Sequence, residues 1–385
     1  MEDQNLCYAL HLAAKRGDLK CLLELLDQGA AVDAVCSLSP NANPSGATAL
    51  LFAAENGHVE CLLALLDRGA NVDAVSSYGM TALGLAASNA HVDCLQALLE
   101  RGATVDFLDQ DEITPLLHAA ASGPTVRSAE FMYGSEVGWY GRAIAECHRR
   151  YARCLEALLD AGAAINFTEA DIGVTALMKA AHCGRLECVH VLLKRGAAMD
   201  LVDLEGEPAV AWAVNGGHVS CLQALLDHGA AVNFVDDAGE TALMKAAWEG
   251  SLECLVVVAD AGVAVDHVNN SGDTALIYAA SNGKPACLRA LLERGAATDL
   301  VNRDGDTALG CAVKQIHHLE SRNPAKKSPG HLECIRELTD HAERVAAAVT
   351  IQRGWYAARS SPYTVVGRKH IMEGFVELGS AITFQ

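Results

Sequence analysis

Aromatic residues make up only 5% of the 385-residue chain, so its core cannot rest on large rings. Basic residues are scarce as well, 29 Lys and Arg against 48 Asp and Glu, for a formal charge of -19. A surface this acidic repels phosphate backbones and anionic headgroups, which argues against nucleic acid or a membrane surface as partner of the main body. No apolar run approaches the roughly 18 residues that a membrane-crossing helix needs, so membrane insertion is not expected. Met1-Glu2-Asp3-Gln4 shows no basic-then-apolar leader, and the expectation is an intracellular chain, cytoplasmic or nuclear. Catalytic signatures are missing too. The sequence has no phosphate-binding glycine loop ending in Lys-Ser or Lys-Thr, no His-Glu-x-x-His pair, no Gly-x-Ser-x-Gly elbow and no calcium loop. Together these absences predict a chain without enzymatic activity, metal or cofactor.

What the chain does have is small apolar side chains in a strict period. Apolar residues reach 51%, built mainly from Ala, Leu, Val and Cys, a mixture suited to close helix packing. Thr48, Thr81 and Thr114 stand 33 residues apart, and Thr175, Pro208, Thr241, Thr274 and Thr307 repeat that spacing. Tyr8 marks an earlier unit, and nine units result. In each, Thr is placed to cap a first helix, and Thr114-Pro115 adds proline at the favoured first helical position. Gly57, Gly184, Gly217, Gly250 and Gly283 break the chain after that helix. A second helix follows with apolar spacing of three and four, as in Val59, Leu62, Leu63 and Leu66. Gly69, Gly102, Gly162, Gly196, Gly229, Gly262 and Gly295 supply its left-handed stop.

Nine of the fourteen cysteines recur at one position of the second helix: Cys21, Cys61, Cys94, Cys154, Cys188, Cys221, Cys254, Cys287 and Cys334. That regularity reads as buried, reduced thiols acting as small hydrophobes rather than as a disulfide framework. His58, His91, His218 and His331 open second helices and read as structural. Cys183, beside His182, is the thiol best placed to react, but it lacks a second metal-spaced pair.

The segment from Gly46 to Asp73, with Thr48-Ala-Leu, Gly57-His58 and Asp67-Arg-Gly-Ala-Asn-Val-Asp73, resembles an ankyrin repeat. The resemblance covers about residues 5–340 and implies an all-α repeat solenoid of helix-turn-helix units with β-turn fingers. It implies no cofactor, and a protein partner of unspecified identity held on the concave face lined by fingers and first helices. Three units depart from the pattern: Pro208 replaces the capping Thr, while Ala90 and Ile316 replace the glycine between helices. Insertions are expected near 36–45, 123–150 and 317–330.

Partner-binding candidates follow from the finger row. Val35, Val75, Leu108, Val202, Val235, Val268 and Val301 share one position; Phe107, Phe167, Leu201, Phe234, His267 and Leu300 precede it. With Asp109, Asp111, Glu112, Asp203, Glu205, Asp236, Asp237 and Asp304 beside them, they suit a peptide with apolar anchors and basic flanks. The alternative is finger-against-finger packing. The repeat-four insertion gathers Phe131, Met132, Tyr133, Trp139 and Tyr140, a local excess of aromatics that suggests either a partner-binding flap or a self-packed loop. The repeat-nine insertion, 321–330, reads as a flexible linker.

No Gly or Pro falls between His331 and Arg353, so the last helix is expected to run past the array. It leads into Ile351-Gln352-Arg353-Gly354-Trp355-Tyr356-Ala357-Ala358-Arg359, which resembles an IQ motif over 341–360. That resemblance implies a calmodulin-like EF-hand light chain as an alternative partner. Ile351, Gln352, Arg353, Trp355 and Arg359 fit the pattern, whereas Tyr356, Ala357 and Ser361 depart from it. The competing reading is a capping helix that folds back, with Trp355 as its plug. Residues 361–385 form a short tail of unassigned role.

Overall fold

The computed structural model describes residues 2–35, 46–123, 137–322 and 328–360, with backbone alone for 2–4, 137–144, 320–322, 348 and 351–360. The chain divides into two compact units, Met1–Val263 and Ala264–Gln385. Among the described residues there are eighteen helices and no strands, two helices for each of the nine repeats, an all-α repeat solenoid.

The first unit opens with α1 (Glu2–Arg16) and α2 (Leu19–Asp27). Repeat two contributes α3 (Ala49–Asn56) and α4 (Val59–Asp67), and repeat three α5 (Ala82–Ser88) and α6 (Val92–Glu100). Repeat four pairs α7 (Pro115–Ala121) with the long α8 (Val137–Asp160). Repeat five holds α9 (Ala176–His182) and α10 (Leu186–Lys194), and repeat six α11 (Ala209–Gly216) and α12 (Val219–Asp227). Repeat seven closes this unit with α13 (Ala242–Glu249) and α14 (Leu252–Asp260). The second unit contains α15 (Ala275–Ser281), α16 (Pro285–Glu293), α17 (Ala308–Arg322) and α18 (Pro329–Ser360).

The caps explain where the first helices begin. Thr81, Thr114, Thr175, Thr241, Thr274 and Thr307 each accept the backbone N–H three residues on. Thr48 makes no such bond, and Pro208 has no side chain to make one. Ala90 takes the left-handed conformation that glycine takes in other repeats, at φ 54°, so repeat three keeps its turn against the strain a Cβ adds there. Ile316 acts differently. With no glycine to stop it, α17 continues to Arg322, and the break between helices falls after that residue.

First helices pack through alanine pairs. Ala53 and Ala54, Ala86 and Ala87, and Ala119 and Ala120 have no exposed surface, so backbones approach closely. Eight of the nine recurring cysteines are buried: Cys61, Cys94, Cys154, Cys188, Cys221, Cys254, Cys287 and Cys334. Cys21 departs from the expectation, being only half-buried. Burial pushes the Cys94, Cys154, Cys188, Cys221 and Cys334 thiols up to about 12.

A second device ties consecutive repeats together. His58 Nε2 reaches the Lys15 carbonyl at 3.1 Å, His91 Nε2 that of Glu55 at 3.0 Å, and His331 Nε2 that of Ser281 at 2.8 Å. A carbonyl only accepts, so Nε2 carries the proton. At the same register Tyr151 donates its hydroxyl to the Ser88 carbonyl at 2.9 Å, and Arg185 Nη2 donates to Ala121 at 3.4 Å. The His and Arg struts run from the start of a second helix, and the Tyr151 strut from within α8, to the end of a first helix in the repeat before. The rings also require Gly57 and its equivalents, since a Cβ on Gly57 would collide with the His91 imidazole. Arg185 is fully buried and stacks on Tyr151, its guanidinium carbon 4.6 Å from the ring centroid.

Two insertions differ from the loops that composition suggested. The stretch near 123–150 is helical from Val137, where it extends α8 to 24 residues, and residues 124–136 lie outside the described residues. Of the repeat-nine insertion, Ser321, Arg322, Pro329 and Gly330 are helical, and 323–327 lie outside the description. The insertion at 36–45 and the tail at 361–385 also lie outside it. The last helix is continuous: α18 carries the second helix of repeat nine through 341–360 without a break.

Two outcomes follow from this packing. Alkylation of the native chain at pH 8 is expected to leave the eight buried thiols unmodified until denaturant is added, as mass spectrometry of the labelled protein will record. Burial holds His91 below its ordinary value, so its neutral form is favoured in the fold. The strut's contribution is therefore complete above about pH 6.5, and it is lost as pH falls through the lowered value. His91→Gln is expected to lose less thermal stability than the unaltered chain between pH 7 and 5; equal losses would remove His91 as the cause.

Candidate functional site

The fingers are built around one buried acceptor each. Asp109 Oδ1 accepts the N–H groups of Asp111 and Ile113 at 3.0 and 2.9 Å. Asp203 Oδ1 accepts those of Glu205 and Glu207 at 3.0 and 2.8 Å, and Asp236 Oδ1 those of Ala238 and Glu240 at 3.0 and 2.8 Å. Asn269 and Asn302 close their fingers in the second unit in the same way. Asp and Asn suit this turn because a short side-chain oxygen reaches the backbone two and four residues on.

The other side-chain atom pins the finger to the first helix nine residues later. Asp109 Oδ2 meets His118 Nε2 at 2.7 Å, Asp203 Oδ2 accepts from Trp212 Nε1 at 2.8 Å, and Asp236 Oδ2 pairs with Lys245 Nζ at 2.6 Å. Asn269 Nδ2 donates to the Tyr278 hydroxyl at 2.8 Å. In repeat five Glu169 performs the same task toward Lys179 at 3.3 Å. This corrects the sequence reading of the acidic flanks: Asp109, Asp203 and Asp236 are committed to the scaffold. Among the described residues, Asp171 and Glu205 remain exposed at the fingertips and form no ion pair.

Extended backbone alternates sides, so a residue next to a pinned Asp points outward. Val35, Val75, Leu108, Val202 and Val235 in the first unit, and Val268 and Val301 in the second, are between 42% and 54% exposed. Phe107, Phe167, Leu201 and Phe234 in the first unit and Leu300 in the second are half-buried. The two positions of the finger row thus differ, the Val position standing open to solvent and the one before it partly covered. Neighbouring tips are hydrogen-bonded: Gln110 N donates to the Tyr78 carbonyl at 3.2 Å, Leu204 N to Ile172 at 3.1 Å and Asp237 N to Glu205 at 3.0 Å. Tyr133 lies outside the described residues; Trp139 and Tyr140 fall on α8, described there in backbone only. Ile351, Gln352, Arg353, Trp355 and Arg359 lie on the final turns of α18, again described in backbone only.

The residues that sequence reasoning missed sit on the first helices, four positions after the capping residue: His118, Lys179, Trp212 and Lys245. Their spacing of nine or ten from the finger acid was a usable signal. Lys245 stands in the densest cluster. Its ammonium pairs with Glu207, Asp236 and Glu240, with Lys245 and Glu207 each only 8% exposed. Burial opposes the charge on Lys245, but bonds from Asp236 and Glu207 outweigh it and hold the ammonium above its ordinary range. Burial likewise pushes the Glu207 carboxyl up, against the pull of Lys245. Asn215 Nδ2 donates to the second Glu207 oxygen at 2.9 Å.

Beside this cluster opens a cleft of about 600 Å³, lined by Asp171, Ile172, His182, Asp203, Leu204, Glu205, Glu207, Trp212 and Asn215. His182 meets Trp212 edge to face, their centroids 5.4 Å apart. Among the described residues no lysine or arginine lines it.

The comparisons with known proteins agree with this architecture. Family models described as ankyrin repeats match residues 10–66, 50–99, 195–267 and 255–323, and a single-repeat model matches 173–204. Together they cover more than half of the chain, which belongs to the ankyrin-repeat family. No curated protein matches it. Ankyrin repeats are protein-interaction modules, typically non-enzymatic, and that is the class of function the fold supports. Among the described residues no helix is long and apolar enough to cross a membrane.

Lys245→Met is expected to cost about 3–5 kcal/mol in chemical denaturation, because three carboxylates would lose their one shared cation inside the protein. A loss below about 1 kcal/mol, the range of exposed pairs, would show the cluster to be solvated.

Proposed function

We propose that this chain is a non-enzymatic scaffold that takes an extended segment of a partner protein along the finger and first-helix face of residues 1–263. One observation carries the reading. Pinned fingers hold Val75, Leu108, Val202 and Val235 in solvent at a repeating position, although every neighbour on the inward side is buried or hydrogen-bonded. Apolar groups kept exposed at regular intervals offer anchor points for a chain lying across the repeats. The half-buried Phe107, Phe167, Leu201 and Phe234 support that row from below. The repeat-four insertion, with Tyr133, Trp139 and Tyr140, belongs to the same reading as a flank of the binding face; Leu300 and Val268 offer the equivalent positions in the second unit.

A second reading rests on α18. Side chains from Ala342 to Ala347 are all exposed, and the helix is one uninterrupted rod to Ser360. A helix that stands clear in this way favours enclosure by an EF-hand light chain over a fold-back cap plugged by Trp355. The partner would grip Ile351, Gln352, Arg353, Trp355 and Arg359.

Random peptides selected on the full chain are expected to lose at least tenfold in affinity with Val202→Asp combined with Val235→Asp, about 1.4 kcal/mol or more. Glu253→Lys, on the exposed side of α14, should leave binding unchanged. Equal binding by all three proteins would move the partner face elsewhere. For the second reading, calorimetric titration of the full chain with calmodulin, with and without Ca²⁺, decides: binding abolished by Ile351→Ala with Trp355→Ala supports it, and no heat in either condition ends it.

A further inference from the structure

We propose that the cleft beside Trp212 is an arginine-binding subsite, so that the partner segment is a basic one; this rests on the finger-face reading above. The cleft combines three features that one side chain would satisfy together. Its apolar walls are held in solvent, Leu204 67% and Ile172 41% exposed, although both are large hydrophobes. Its aromatic wall, Trp212, is fixed in orientation because the indole N–H is bonded to Asp203 Oδ2. Its charge is one-sided: Asp171 and Glu205 sit at the fingertips without an ion pair among the described residues, and no lysine or arginine lines the space.

The charges deeper in the cleft are already satisfied. Asp203 is taken up by two backbone N–H groups and Trp212, and Glu207 by Lys245 and Asn215. That leaves the two tip carboxylates to receive a cation. An acidic segment would meet four carboxylates in a space of about 600 Å³ and be repelled. A purely apolar side chain would cover Leu204 and Ile172 but screen Asp171 and Glu205 from water without replacing its hydrogen bonds.

A basic side chain resolves the conflict, its methylene stem on Leu204 and Ile172 and its head between the tip acids. Arginine fits better than lysine. Its planar guanidinium stacks on an indole, and its fork donates to two carboxylates at once. The negative field of the fingertips would also draw a basic segment toward the face from a distance.

The test uses fluorescent nine-residue peptide pools, random except for a fixed central Arg, Lys, Gln or Glu, titrated against the full chain. The expected order is Arg over Lys over Gln over Glu, with Arg about tenfold or more ahead of Gln at low salt. Asp171→Asn with Glu205→Gln changes only exposed side chains, so the fold is retained; this variant should bind the Arg and Gln pools equally while its affinity for the Gln pool is unchanged. Binding of all pools with equal affinity to the unaltered chain overturns the arginine subsite and leaves the scaffold reading standing. An Arg preference that survives in the double variant also overturns it, by placing the subsite elsewhere. Absence of binding by every pool overturns both readings.

Discussion

The fingers of repeats four and six to nine are each held by a single Asp or Asn side chain that does two jobs at once. One atom closes the turn on its own backbone, and the other bonds the first helix nine residues later, as Asp203 does with Glu205, Glu207 and Trp212. Much of what distinguishes the molecule depends on that tie. It buries the acid, which turns the preceding valine outward, and it sets the height at which neighbouring tips can hydrogen-bond. Without it the finger would be a solvent-exposed loop with unpaired N–H groups, and the exposed valines would have no reason to stay exposed. The helical layer behind it is more generic. Alanine pairs and buried thiols let helices approach, and in repeats two to five and nine a histidine, tyrosine or arginine strut locks the second helix to the first helix of the repeat before. Such contacts reach only to the next repeat, so stability accumulates by neighbour terms.

The consequence for charge is counterintuitive. A chain with a formal charge of -19 might be expected to keep its carboxylates in water. Instead Asp109, Asp203, Asp236 and Glu207 are placed inside, where each acquires a donor: His118, Trp212 or Lys245. The first helices supply those donors from one register position, which varies in chemistry while its neighbours are small or apolar. Lys245 shows the limiting case, one cation against three carboxylates. A buried charge cluster of this kind is weak evidence for stability, since a hydrophobic substitute could serve as well. Its effect is to fix geometry, holding the fingers of repeats six and seven against one first helix.

Much of this was legible in the sequence because it is local. The glycines at 69, 102 and 162 adopt the left-handed conformation that their place after a helix implies, and Thr81, Thr114 and Thr175 cap where the pattern puts them. Pattern reading fails where a residue depends on a neighbour one repeat away. Arg185 and Tyr151 stand in for the recurring histidine, yet nothing in either local sequence says so; only the carbonyl they reach, on the repeat before, reveals the equivalence. The Lys245–Glu207 pair spans 38 residues and was invisible for that reason. The helical part of the repeat-four insertion was missed on other grounds. Its aromatics suggested a binding loop, whereas the segment from Val137 is helical and forms the first turns of α8.

The candidate site inherits this division. What makes the chain an ankyrin array is repeated in all nine units, so it cannot select a partner. Selection has to come from residues that break the repeat, and one group of them meets around a single cleft in repeats five and six. Trp212 and Asn215 lie on a first helix whose N-cap is Pro208, Leu204 and Ile172 are large apolar residues exposed at the fingertips, and Glu207 is an acid buried against Lys245. Each departure would be unfavourable alone: an exposed leucine, an unpaired acid, a half-buried indole. Placed around one cleft they become complementary to a single kind of group, one with an apolar stem and a cationic, planar end. Departures scattered at random by drift would not share a cavity, nor leave its two free charges with the same sign. The meeting of exposed apolar walls, an oriented indole and two unpaired acids around one cleft is therefore the strongest physical reason to look for the partner there.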